Sequence, residues 1–249
     1  MVKYPKKEEN KMESQWNFSA LKIDLGSFTI FPTLLWNKTN ALLVDTGMPG
    51  TLPALQKAFA ENDVPFEKLS AIILTHQDLD HIGSLPELME ASNKRLAVFA
   101  HELDKPYIEG TKLLLKLSGE NLTAEKWASI PDSLKPFYEN PPSADVTHLL
   151  TDKAELEGYP GIEVITTPGH TPGHVSLYIK DKKTLIAGDA LTCIDGKLVG
   201  PVPQHTLNME EALESAAKFL HYDIDTVICY HGGIAAGTIK KQLKAIIAK

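Results

Sequence analysis

The chain has 249 residues, of which 43% are hydrophobic, and a formal net charge of -7. This length is enough to bury one large core, and the acidity argues against nucleic acid or an anionic membrane as a partner. The two cysteines, Cys193 and Cys229, are too few for a disulfide framework, which favours a cytoplasmic location.

The N-terminal segment differs in composition from the rest of the chain. Residues 1–15 are rich in Lys and Glu and lack the apolar core of a signal peptide or membrane anchor. We therefore expect a disordered tail over 1–15 and a single domain over 16–249. We also expect a small-molecule substrate and no membrane partner, since no apolar run is long enough to span a bilayer. The oligomeric state stays open.

Short apolar runs alternate with helical patterns along this domain. We predict strands over residues 20–24, 28–35, 41–44, 71–74, 96–100, 163–166, 176–179, 184–187 and 226–229. We predict helices over residues 52–60, 85–89, 112–117, 207–220 and 239–248. The strands at 176–179 and 184–187 are expected to form a hairpin.

Four residues that can bind a metal lie close together after the strand at 71–74. They are His76, Asp78, Asp80 and His81. His76 and Asp78 can point the same way from extended backbone, whereas Asp80 and His81 need a turn to reach a neighbouring point. This spacing favours two metals rather than one, and the absence of a thiolate argues against a structural zinc site. Helix capping by Asp80 is the alternative, but it leaves the two histidines unexplained.

Other strands also end in a histidine or an aspartate. His170, Asp189 and His231 follow the strands at 163–166, 184–187 and 226–229. Each signal is weak alone, but together they predict seven ligands at one edge of a sheet arrangement.

Two further residues at strand ends have open interpretations. Asp45 either forms a turn or accepts a hydrogen bond that orients a ligand histidine. His101 is either structural or part of the site.

Residues 103–147 show a different pattern. Prolines recur here, together with Tyr107, Trp127, Phe137 and Tyr138, and no clear strand pattern is present. We expect an insertion of helices and loops. It either shapes a substrate pocket or packs as a small satellite core, and the sequence leaves both interpretations open.

The sequence resembles the metallo-β-lactamase superfamily, in its glyoxalase II-like and lactonase-like hydrolase branch. The resemblance rests on four motifs and on their order along the chain. They are T-H-Q-D-L-D-H at 75–81, T-P-G-H-T-P-G-H at 167–174, A-G-D at 187–189 and Y-H-G-G at 230–233. The resemblance implies an α/β (α+β) fold. This would be a four-layer αββα sandwich, with two mixed sheets face to face, helices outside and the site at one edge.

The resemblance also implies a ligand set. His76, Asp78 and His170 would hold a first metal, Asp80, His81 and His231 a second, with Asp189 as the bridge. His174 would support its loop. Two divalent ions are thus expected, with zinc favoured. Position 78 departs from the usual histidine; superfamily members with a carboxylate there, the flavodiiron proteins, bind iron, so iron or manganese are alternatives.

This ligand set implies a hydrolase. A hydroxide bridging the metals would attack a carbonyl carbon, and Asp80 would orient it and pass a proton to the leaving group. The expected substrate is a small ester, thioester or lactone. A di-iron redox protein and a metal-binding protein without turnover are the alternatives.

Overall fold

Two β-sheets form the frame of the structure, a computed structural model that describes residues 15–118 and 121–248. The tail predicted over residues 1–15 lies, apart from Gln15, outside the described residues and stays a prediction. In chain order, the strands up to residue 150 are β1 (Asn17–Ala20), β2 (Ile23–Asp24), β3 (Thr29–Ile30), β4 (Thr33–Trp36), β5 (Ala41–Val44), β6 (Leu69–Ile73), β7 (Ala97–His101) and β8 (His148–Leu150).

The first sheet has the spatial order β1-β4-β5-β6-β7-β8. Its neighbours from β1 to β5 are antiparallel, and those from β5 to β8 are parallel. Strands β2 and β3 form a separate antiparallel pair. The sequence predicts one strand over residues 28–35, but Pro32 lies between β3 and β4 and has no N–H to donate to a ladder. That single strand is therefore wrong.

The remaining strands form the second sheet and a small hairpin. They are β9 (Ile162–Thr166), β10 (Val175–Ile179), β11 (Thr184–Gly188), β12 (Thr192–Ile194), β13 (Lys197–Val199), β14 (Thr226–Cys229) and β15 (Gly233–Ala236). The second sheet has the order β15-β14-β11-β10-β9, and β12 pairs with β13. Strands β10 and β11 make the predicted hairpin, and β11 lies parallel to β14.

The described part of the chain contains eight α-helices. They are α1 (Leu52–Glu61), α2 (Leu79–Ile82), α3 (Leu85–Ala91), α4 (Lys105–Ile108), α5 (Ala124–Ser129), α6 (Lys135–Glu139), α7 (Met209–Lys218) and α8 (Ile239–Ile247). Among the described residues, no helix combines the length and apolar character that a membrane crossing needs.

Strand β5 shows why the predicted strands are continuous apolar runs. Leu42 and Val44 contribute to a core that also contains Leu177 and Ile228 of the second sheet. Leu43 of the same strand packs in a different core, on the helix side. Both faces of β5 are therefore buried, and each large aliphatic side chain contributes about 1.5–3 kcal/mol.

The cores give the layer order helix, sheet, sheet, helix. Leu43 shares its core with Leu55 of α1 and Leu85 of α3. On the other side of the molecule, Val227 of β14 packs with Leu243 of α8. The αββα sandwich expected from the sequence is confirmed.

Residues 102–147 join β7 to β8. Their described part contains α4, α5 and α6 and no strand. The helix predicted over 112–117 is wrong, because these residues form bends and a 3₁₀ turn at Leu115–Leu117. The N–H of Leu115 donates to Gln77 Oε1 at 2.8 Å instead of to a helix carbonyl.

Candidate metal centre

The strand ends bring all seven predicted ligands to one edge of the sandwich. Parallel strands have their C-terminal ends at the same edge of a sheet, and this applies both to β5 and β6 and to β11 and β14. Each of these strands is followed by a candidate residue: Asp45 after β5, His76 after β6, Asp189 after β11 and His231 after β14.

Two overlapping sets of side chains surround the centre. The first cluster comprises His76, Asp78 and His170, and the second comprises Asp80, His81 and His231. Within each set, the atoms able to bind a metal all lie within 4.8 Å of one another. A third set of His76, His81 and Asp189 meets the same limit and links the two clusters.

Asp78 lies at the middle of the first cluster. Its Oδ2 is 3.1 Å from Nε2 of His76 and 3.1 Å from Nε2 of His170. Burial favours a higher pKa for Asp78, but Lys116 and His76 hold that pKa well below its ordinary value. The carboxylate that departs from the usual family pattern therefore faces the other ligands and carries a negative charge.

The second cluster is arranged around the carboxylate of Asp80. Its Oδ2 is 3.3 Å from Nε2 of His231 and 3.7 Å from Nε2 of His81. Burial lowers the pKa of His231, but Asp189 and Asp80 outweigh it and raise that pKa to about 10. The carboxylates of Asp189 and Asp80 thus favour the positively charged form of His231, as they would favour a bound cation.

Asp189 lies between the clusters. Its Oδ2 is 3.3 Å from His170 Nε2 and 3.5 Å from His231 Nε2, and its Oδ1 is 3.5 Å from His81 Nε2. This is the placement that a carboxylate shared by two cations needs.

A single helical turn presents Asp80 and His81. In α2, Leu79 and Ile82 are buried in the outer core of the first sheet. Their anchoring directs the two residues between them to the sheet edge. Gly83 ends the turn. A Cβ atom at this position would lie 2.4 Å from Pro49, so a larger residue would displace the loop that contains Pro49.

Asp45 orients His81. This is the second of the two roles that the sequence left open for Asp45, the other being a turn. Oδ2 of Asp45 is 2.9 Å from His81 Nδ1, so that His81 Nε2 faces the centre. Thr75 fixes the carboxylate through its backbone N–H, 2.8 Å from Oδ1, and its hydroxyl, 2.8 Å from Oδ2. Burial lowers the pKa of His81, but Asp45, Asp80 and Asp189 together hold it well above its ordinary value.

His174 supports the loop that carries Asp189. Its Nε2 accepts a hydrogen bond from the backbone N–H of Asp189 at 3.0 Å, and its Nδ1 lies 2.7 Å from the hydroxyl of Thr167. Burial, with His76 and His170 nearby, holds the pKa of His174 well below its ordinary value. A neutral imidazole with Nδ1 protonated satisfies both contacts.

The chain around His231 is fixed by close backbone packing. The N–H of Cys193 donates to the carbonyl of His231 at 3.0 Å. At Gly232, where φ is +98°, a Cβ atom would lie 1.7 Å from the Cys193 carbonyl oxygen. Tyr230 packs its ring on His81, with centroids 3.8 Å apart, and its hydroxyl donates to the carbonyl of Asp80.

Asp104 connects two ligand loops, and the sequence analysis missed it. Its carboxylate accepts from the N–H and side-chain amide of Gln77, at 3.0 and 3.3 Å, and from Thr171 Oγ1 and Gly173 N, at 3.0 and 3.1 Å. Burial raises the pKa of Asp104 to about 6. The available signal was its position just after β7, which is parallel to β6.

Lys116 was also missed, and it reaches the first cluster from the stretch between β7 and β8. Its Nζ lies 2.8 Å from His170 Nε2 and donates to Asp78 Oδ2. His101, in contrast, is partly exposed and accepts from the N–H of Leu103. It belongs to none of the three sets of possible metal ligands.

The donor atoms themselves test whether a metal fits. Four buried atoms make no hydrogen bond to the described residues: His76 Nε2, His81 Nε2, His170 Nδ1 and Asp189 Oδ1. Leaving a buried polar atom unpaired costs about 1–3 kcal/mol. Three of these atoms belong to His76, His81 and Asp189, the residues of the set that links the two clusters. Imidazole and carboxylate donors suit zinc, iron and manganese, so the residues fit a divalent cation.

A family model and curated relatives match most of this chain. Residues 26–231 match the model of the metallo-beta-lactamase superfamily. The chain is 28% identical over 205 residues to the probable metallo-hydrolase YflN of Bacillus subtilis, which covers 77% of this chain and 75% of YflN. It is 27% identical over 168 residues to the hydroxyacylglutathione hydrolase GloC of Haemophilus influenzae, over 64% of this chain and 65% of GloC.

Solved structures show the same fold. The metallo-beta-lactamase family protein TTHA1429 of Thermus thermophilus superposes with a TM-score of 0.67 at 24% identity, over 93% of this chain and 78% of its own. TTHA1623, in a di-iron-bound form, superposes with a TM-score of 0.60 at 26% identity, over 86% of this chain and 93% of its own.

Proposed function

The chain belongs to the metallo-beta-lactamase superfamily and is a metallo-hydrolase; we propose that it cleaves a small carboxylic ester, thioester or lactone. The observation that carries this proposal is the convergence of buried atoms of His76, His81 and Asp189 that make no hydrogen bond to the described residues. The name of GloC, a hydroxyacylglutathione hydrolase, adds support for a thioester. Family membership alone does not select among these substrates, since one fold serves many reactions.

The two clusters would hold the metal. His76, Asp78 and His170 would bind one ion; Asp80, His81 and His231 would bind another, with Asp189 between them. A bound divalent cation supplies Lewis-acid chemistry, which makes water nucleophilic near neutral pH and polarises a carbonyl oxygen. We propose zinc, with iron or manganese as alternatives because Asp78 adds an oxygen donor.

Asp80 is the residue that would move the proton. Its side chain is 22% exposed, so one side of the carboxylate is open to water and substrate. The Tyr230 hydroxyl holds the main-chain carbonyl of Asp80, which keeps the carboxylate in place. We assign Asp80 the role of taking a proton from the attacking water and giving it to the leaving group.

Two observations favour a second candidate, a di-iron redox protein. The carboxylate of Asp78 faces the first cluster, and the related TTHA1623 has a di-iron-bound form. Iron with reversible colour changes and no hydrolysis would identify this function. Metal binding with neither activity would indicate a binding protein.

Metal removal and a substrate panel test the hydrolase proposal. Protein purified without added metal would be analysed for its elements, stripped with a chelator and assayed on small esters, thioesters and lactones. We expect hydrolysis of at least one class, its loss on stripping, and its recovery with zinc, iron or manganese. His81→Ala should prevent recovery, whereas His101→Ala, outside the ligand sets, should not. Full activity of the stripped protein would contradict the proposal.

A further inference from the structure

Lys116 already places a positive charge in the first cluster. Its Nζ donates to Oδ2 of Asp78 and lies 2.8 Å from Nε2 of His170. Both atoms face the space that the first cluster surrounds. The lone pair of His170 Nε2 cannot bind this ammonium and a metal ion at the same time.

The backbone around Lys116 is held by specific contacts. Leu115 donates its N–H to Oε1 of Gln77, a residue of the ligand stretch itself, at 2.8 Å. The carbonyl of Leu115 accepts from Ser118 Oγ at 3.1 Å and from Asn121 Nδ2 at 3.0 Å. Leu114 is buried beside this turn. The turn that carries the lysine is therefore fastened to the ligand stretch through Gln77.

The charge balance gives this lysine a function. The side chains of Asp78 and Lys116 are 13% and 23% exposed, so water screens their interaction weakly. An aspartate this buried needs a neighbouring positive charge. Lys116 supplies that charge from outside the ligand set, whereas among the described residues the carboxylate of Asp80 in the second cluster lies within 4 Å of histidines only, His81 and His231, which are themselves candidate ligands.

We propose that Lys116 occupies the cation position of the first cluster, so that the two metal positions are unequal. The first divalent ion binds at the second cluster with Asp189. The first cluster takes an ion only when that ion displaces the Lys116 ammonium. This inference rests on the proposed metal centre, but it makes a separate prediction about stoichiometry.

Calorimetric titration of the stripped, full-length protein with zinc tests this inequality. For the unsubstituted protein we expect one tight ion and a second bound about 10–100-fold more weakly, the range for groups that touch metal ligands. Lys116→Met keeps the apolar stem and removes the charge, so two ions should bind with similar affinity. Lys112→Met removes an exposed lysine that lies over Tyr107, and it should behave like the unsubstituted protein.

Other results separate the possible failures. Two equally tight ions in the unsubstituted protein, or an unchanged second affinity in Lys116→Met, would overturn the role of Lys116. If Lys116→Met leaves the metal titration unchanged but raises the KM for substrate, Lys116 is a substrate contact, and the proposal that it occupies a cation position is overturned. Binding of no ion by any variant would overturn the metal centre as well. If Lys116→Met fails to fold, Lys116→Gln provides the same comparison.

Discussion

Asp80→Asn is expected to lower turnover by about 10²–10⁴-fold while the protein keeps most of its metal. The amide retains an oxygen that can face His231 and His81, which lie 3.3 and 3.7 Å from the present carboxylate. It cannot accept a proton from water or return one to a leaving group. Catalysis should therefore fall much more than metal affinity does.

Turnover and metal content must be measured on the same sample to test this. The assay would use the best substrate of the panel, with elemental analysis of each preparation. Asp132→Asn is a matched control, because Asp132 is an exposed carboxylate whose partner is Lys135. Undiminished turnover in Asp80→Asn would exclude the proton-transfer role. A proportional loss of metal and activity would make Asp80 a ligand without that role.

Asp104→Ala is expected to lower the free energy of unfolding by about 1–3 kcal/mol and to weaken metal binding. The substitution leaves donors of Gln77, Thr171 and Gly173 without their acceptor. These residues lie beside His76, Asp78 and His170, so the two ligand loops should lose their common anchor. Denaturant unfolding and zinc titration would measure the two effects. A fully stable variant with unchanged affinity would contradict this account of Asp104.

The pKa of Asp104 adds a pH dependence with a defined sign. Burial raises it from 3.8 to about 6 in the folded protein. As the pH rises, Asp104 therefore loses its proton in the unfolded chain before it does so in the folded protein. The contribution of Asp104 to stability should therefore be full below about pH 4, decline between pH 4 and 6, and stay constant above, a difference of about 3 kcal/mol. The free energy of unfolding of the metal-free protein would be measured against pH with and without the Asp104→Asn substitution. The difference between the two proteins should show this decline. A constant difference would refute it.

The ligand positions could be predicted because they follow from strand chemistry. An apolar run such as residues 71–74 must be buried, and the polar residue after it must lie at a sheet edge. Since β6, β11 and β14 end at the same edge, His76, Asp189 and His231 meet there. This inference needs no knowledge of loop conformation.

Asp104 follows β7 and so had the same kind of signal, but Lys116 could not be predicted in this way. The stretch around Lys116 has no period that distinguishes a helix from an extended chain, and it forms a 3₁₀ turn at Leu115–Leu117 instead of the predicted helix over 112–117. The reach of Lys116 depends on the hydrogen bond from Leu115 to Gln77, two residues 38 positions apart in sequence. Tertiary contacts of this kind leave no local pattern.

Anomalous X-ray diffraction from crystals of the metal-loaded protein is the most direct test of the central claim. Data collected on both sides of the metal absorption edge would locate each bound ion. We predict an anomalous peak at coordination distance from His81 Nε2, His231 and Asp189. A loaded protein whose metal lies elsewhere, with these side chains uncoordinated, would contradict the account.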